Sequence, residues 1–188
     1  MDEKERKKQY TAEVFTAAMV MGLGLFVVMF LQYLLRDAGG VLSLLLSFAT
    51  FAVVVAVLII YGRRAAALCP PDPQRRPNGF TYGRAFGFSV LVSLLSGIVY
   101  GAGYFLLTEV IDPQFYGSTI DQVAQLYVSS GLMTAEQVQA AVALMHNLFV
   151  VILANMIAML FQGGFVALFT SAIVRHRPNN FPQNPQGL

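Results

Sequence analysis

A chain of 188 residues that is 56% hydrophobic and 12% charged, with a formal net charge of +2 and a mean hydropathy of +0.62, lacks the polar cover of a water-soluble globule. Soluble chains carry roughly 25% charged residues. The same composition excludes a disordered chain, and so small a charge excludes a nucleic-acid footprint. One cysteine, Cys69, forms neither an intramolecular disulfide nor a Cys-based metal cage.

Crossing a bilayer takes about 20 apolar residues at roughly 1.5 Å each. Four stretches qualify, at residues 14–35, 41–61, 85–108 and 142–174, and none has Lys, Arg, Asp or Glu in its interior. The fold class that follows is an all-α integral membrane protein, a single domain of four transmembrane helices in two antiparallel hairpins. A third, extracytoplasmic helical hairpin lies between spans three and four.

Residues 1–13 form a basic arm with Lys4, Arg6, Lys7 and Lys8. The apolar run after it exceeds the 7 to about 15 residues of a secretory signal, so it reads as an uncleaved anchor. Arg36-Asp-Ala-Gly-Gly40 is a tight turn joining spans one and two. The next connection is proline-rich, with Pro70, Pro71, Pro73 and Pro77, which prevent a continuous helix. Its Arg63, Arg64, Arg75 and Arg76, with Arg84 beyond, are candidate lipid-headgroup contacts, each worth about 1 kcal/mol near an anionic surface. Topology alone also demands such charges. Cys69, beside two prolines, reads as a plain reduced thiol to which no chemistry is assigned.

Span three carries Ser89, Ser93, Gly97 and Gly101 at four-residue intervals, a stripe of small residues that permits close helix approach. The external segment 109–141 follows. Asp112-Pro113 ends the span, and Ser118-Thr-Ile-Asp121 resembles a capping box that opens a helix near Thr119. Gly131 reads as its terminator. Thr134-Ala-Glu-Gln137 is a second capping box, whose helix is expected to run on into span four without a break.

Span four presents Asn147, Asn155 and Gln162 within one quadrant. Gln162, Asn155, Ser93 and Ser96 form a candidate intramembrane polar site. An amide near mid-membrane needs a partner because lipid offers none, so Gln162 is expected to hydrogen-bond inside the bundle. Ser43, Ser47 and Thr50 on span two, or the serines of span three, are the available partners. Structural glue between helices is the plainer role for these groups. Residues 175–188 are expected to form a cytoplasmic, disordered tail.

Lys and Arg fall in the arm, the proline-rich connection and the tail, and Arg36 alone falls on the other side. Both termini are therefore expected in the cytoplasm. With no Trp in the chain, Tyr10, Tyr33, Tyr61, Tyr82 and Tyr104 supply the interfacial belt. No ionisable residue sits at depth, which disfavours an ion-driven pump. His146 and His176 are placed on opposite sides, and no phosphate loop, metal-ligand spacing or nucleophile triad is present. The expectation is a protein that is not an enzyme and uses no cofactor and no metal.

Four segments carry a family likeness: Gly22-Leu-Gly24, Phe80-Thr-Tyr-Gly-Arg-Ala-Phe-Gly87, Ile111-Asp-Pro-Gln-Phe115 and Gly131-Leu-Met-Thr-Ala-Glu-Gln-Val138. In their order the chain resembles the bacterial membrane proteins, chiefly from Bacteroidota, grouped as domain of unknown function 4199. The resemblance implies a four-span protein of the inner (cytoplasmic) membrane and brings no active residues. The long proline-rich loop and the weakly charged external hairpin depart from that pattern.

Two functional readings lead. One is a non-enzymatic accessory or assembly subunit of a cell-envelope complex, meeting a protein partner through the external hairpin. The alternative is a lipid-handling or small-molecule transport protein with a groove between spans three and four. Membrane lipids and a second copy of the chain are further expected partners; nucleic acid is not. A lateral opening lined by Gln162 and Ser93 would favour the alternative, and a closed bundle with an exposed external patch the first reading.

Overall fold

The structure, a computed structural model, describes residues 3–36, 40–70 and 79–175. Expectations for Arg75, Arg76, His176 and the tail beyond Arg175 fall outside these residues. All described regular elements are helical: α1 (Glu3–Leu34), α2 (Gly40–Ala67), α3 (Tyr82–Phe105), a π-helical turn (Leu106–Ile111), α4 (Gln114–Ser129), α5 (Ala135–Met145) and α6 (Leu148–Val174). Four are long and apolar enough to cross a membrane: α1, α2, α3 with its π turn, and α6.

The amino-terminal arm is not a separate segment. Residues 3–13 continue α1, whose 32 residues extend about 48 Å at 1.5 Å per residue, well beyond a hydrocarbon core of about 30 Å. The first turns therefore project, and the aromatic contact of Tyr10 with Phe88, at 5.9 Å between ring centroids, ties them to α3. Phe80, fully buried, stands edge-on to the same Phe88 ring at 6.4 Å.

Helix α3 is the centre of the bundle, packing most extensively on α6 and next on α1. Its small residues set both interfaces. A β-carbon at Gly97 would lie 2.5 Å from Met156 Cα, and one at Gly101 would lie 3.0 Å from Ile152 Cα. Ser93 occupies the space beside Gly163. These pairings descend along α6 as they ascend along α3, so the two helices are antiparallel. On the other face Gly22 meets Val99 and Phe26 meets Gly103, which makes α1 and α3 parallel. Because lipid tails are as apolar as Leu, such close van der Waals packing is what favours helix association in a bilayer.

Three buried hydroxyls on these helices are satisfied locally, whereas that of Ser171 on α6 has no partner among the described residues. Ser93 Oγ donates to Ser89 O and Ser96 Oγ to Ser93 O, each at 2.8 Å, and Thr170 Oγ1 donates to Val166 O at 3.2 Å. Each of the three returns its proton to its own helix, a standard solution where water is absent.

Two sequence expectations are corrected in the external segment. Helix α4 begins at Gln114, not near Thr119, so the Ser118–Asp121 pattern lies inside it. The reason is Asp112: its Oδ1 accepts from the Gln114 amide at 3.2 Å, and Pro113 supplies a fixed φ for the turn. Helix α5 does not run on into span four either. It ends at Met145, and Asn147 caps a new helix by accepting from the amides of Phe149 at 3.0 Å and Val150 at 3.4 Å. The Thr134 box is present with both reciprocal bonds, and Gly131 ends α4 with φ of 69°.

Candidate functional site: an apolar cavity beneath the external hairpin

The cavity arises from three local events. First, the end of α3 widens: Asp112 N bonds to Leu107 O at 3.0 Å, a five-residue step. Such π turns are rare and concentrate at functional sites. Second, the helix break at His146–Asn147 lets α5 leave the line of α6. Third, the α4–α5 hairpin folds over the space that α3 and α6 leave between them.

The result is a cavity of about 710 Å³. Ile120 and Val123 of α4, and Val138 and Met145 of α5, face Val151 and Ala158 of α6 across it. The small side chains of Ala154 and Ala158 leave room where Leu or Phe elsewhere on α6 would fill it. Its size lies within the range of roughly 300–1,000 Å³ typical of small-ligand pockets.

Few polar groups reach the walls, and most are already engaged. Thr108 Oγ1 donates to Tyr104 O at 3.0 Å. Asn155 Nδ2 donates to Val151 O at 2.8 Å. Glu109, which the π turn carries to the wall, faces His146 Nδ1 at 2.9 and 3.0 Å from its two carboxylate oxygens. Apolar walls with one carboxylate–imidazole pair at the rim suit the hydrocarbon chain of an amphiphile better than a polar solute.

A second contact secures this end of the bundle. Tyr33 OH donates to Asp112 Oδ2 at 3.1 Å and Arg36 Nη1 donates to the same oxygen at 3.3 Å, joining α1 to the end of the π turn. Desolvation pushes the Asp112 pKa up. The hydrogen bonds from Tyr33, Arg36 and the Gln114 amide, with the Arg36 charge, outweigh it and hold the carboxyl below its ordinary value of 3.8.

The predicted polar site is divided by the structure. Ser93 and Ser96 are fully buried in the α3 interfaces, and Asn155 reaches the cavity wall. Gln162 is half-buried, one residue before the Gly163 contact, and among the described residues no hydrogen bond satisfies its amide. The expected intrabundle bond is therefore corrected. Of the proposed partners, Thr50 donates to Leu46 O at 3.1 Å, and the Ser43 side chain lies outside the described ones. Sequence reading placed His146 on the external side but assigned no site role to it, to Thr108 or to Glu109; the signal was available in Asn147, an N-cap residue before an apolar run.

The candidate headgroup arginines also part company. Arg63 and Arg64 are exposed on α2, with the Arg64 guanidinium 4.9 Å above the Tyr61 ring. Arg84 donates from Nη1 to Gly79 O at 2.9 Å. Among the described residues, no group of three or more His, Cys, Asp or Glu side chains converges as a metal site would.

Fold and cavity together define a polytopic helical membrane protein of four spans. Over residues 16–176 the chain matches the family of proteins of unknown function DUF4199, and it belongs to that family. No curated protein and no solved structure matches it.

Proposed function

We propose that the protein binds the hydrocarbon chain of a membrane amphiphile in the cavity between α3, α6 and the α4–α5 hairpin, as a lipid-handling protein without catalytic activity. The observation that carries this reading is the apolar cavity of about 710 Å³ at the end of the bundle where Glu109 and His146 pair. A chain entering from the bilayer exchanges one apolar setting for another, so specificity falls to the polar rim. Orientation is part of the proposal: the end bearing Arg63, Arg64 and Arg84 faces the cytoplasm of a bacterial inner membrane, and the hairpin faces outward.

The test is native mass spectrometry of protein released from nanodiscs. Wild type should retain a lipid-mass adduct that Ala158→Phe loses, with helical content and elution volume unchanged. Equal retention by both overturns the proposal. For orientation, Cys69→Ser carrying a single new cysteine at Asp121 should react with an impermeant thiol reagent from outside, and one at Arg175 should not.

A second reading, an accessory subunit that meets an envelope protein, is favoured by the hairpin's outer surface, where Leu126 and Leu132 are 66% and 72% exposed. Photo-crosslinking from position 132 to one discrete protein, with no lipid adduct, would establish that reading instead.

A further inference from the structure

The opposite end of the bundle holds a second cavity, chemically unlike the first. It measures about 480 Å³ and lies where the projecting first turns of α1 meet the end of α2 and the segment leading into α3. Arg6 and Lys7 of α1 and Arg84 of α3 line it, with Glu3 as the one carboxylate among the described residues. Three cations from two helices far apart in sequence thus share one concave space.

The local structure explains why they converge. Gly79, with φ of 66°, turns the chain so that Phe80 is buried against Phe88. Its carbonyl accepts from Arg84 Nη1 at 2.9 Å, which holds the guanidinium at the cavity and engages one of its five N–H donors. From the other side, Tyr10 anchors α1 through the same Phe88 ring, and Lys7 lies one turn before it, 3.6 Å from Glu3. Arginines so placed match the bidentate geometry of phosphate oxygens.

We propose that this cavity is an anion site for a phosphate group, carried either by an anionic lipid headgroup or by a free phosphate compound. Arg63 and Arg64, exposed on α2 and absent from its walls, are not part of it. The site is independent of the apolar cavity at the other end and stands or falls without it.

The experiment uses full-length protein in neutral detergent, with binding read by native mass spectrometry. One arm titrates phosphatidylglycerol against phosphatidylcholine; the other titrates inorganic pyrophosphate. Arg6→Gln with Arg84→Gln should weaken binding of the anion by roughly thirtyfold, from two basic residues lost at an anionic site. Arg63→Gln with Arg64→Gln should change it by less than about twofold on the same scale. Selective phosphatidylglycerol binding without a pyrophosphate response assigns the site to lipid headgroups, and saturable pyrophosphate binding assigns it to free phosphates. Equal losses in the two double variants, or no binding in either arm, overturn the proposal. Should the Arg84 variant unfold through loss of its Gly79 bond, Arg6→Gln with Lys7→Gln decides the matter by the same criterion.

Discussion

Gly97 of α3 lies against the backbone of Met156 of α6, so close that a β-carbon added at Gly97 would stand 2.5 Å from Met156 Cα. Backbone does not yield as a flexible side chain does, so Gly97→Ala should separate the helices and lower stability by about 1–3 kcal/mol, the usual cost of overpacking. Gly87 on the same helix is the control. A β-carbon there meets nothing within 4 Å, and Gly87→Ala should be neutral or stabilising by up to about 1 kcal/mol through helix propensity. Thermal unfolding in detergent, followed by circular dichroism, distinguishes the opposite signs.

Asp112 predicts a pH dependence. Its folded pKa is held below 3.8 by Tyr33, Arg36 and the Gln114 amide, so the carboxylate stabilises the fold above its unfolded pKa. That contribution is lost as pH falls through the lower folded value. Wild type should therefore be more stable than Asp112→Asn at pH 7, and the difference should shrink as the solution is taken below about pH 4, the ordinary range of an Asp carboxyl. A difference that stays constant to pH 2.5 would show that the Asp112 clamp contributes nothing electrostatic.

The break at Asn147 predicts a linked loss of stability and binding. Removing its Oδ1, which accepts from Phe149 and Val150, should cost about 1 kcal/mol in Asn147→Ala. The same change should favour fusion of α5 with α6 and pull the hairpin away from the cavity. Lipid retention should then fall further than in Thr134→Ala, which loses a cap of similar worth but leaves the break intact. Native mass spectrometry of the two variants makes the comparison.

The spans were legible because lipid imposes one strong rule, a long apolar helix with its backbone bonds satisfied internally. The Gly97–Gly101 stripe was legible for a related reason: four-residue spacing places small side chains on one face. The cavity was not. It depends on a π turn, a change in hydrogen-bond step from Leu107 to Asp112 that leaves the residue pattern unaltered, and on a break hidden inside a continuous apolar run. His146-Asn147 is polar enough to mark that break, yet apolar length alone carries the eye from Ala141 to Val174. Proximity of Glu109 to His146, 37 residues apart, is a tertiary outcome that no local period encodes.

Gln162 and Asn155 provide the last contrast, since both are amides on α6 and their sequence signals are alike. Asn155 donates to Val151 O at 2.8 Å and its Cβ lies 3.1 Å from where a β-carbon of Gly101 would be. Asn155→Leu therefore puts a branched side chain against α3 and should lower stability. Gln162 makes no such bond among the described residues, and an unpartnered amide in an apolar setting costs about 1–3 kcal/mol. Gln162→Leu should relieve that cost and raise the unfolding temperature. If Gln162→Leu instead destabilises the protein as much as Asn155→Leu does, the amide has found a partner in the membrane.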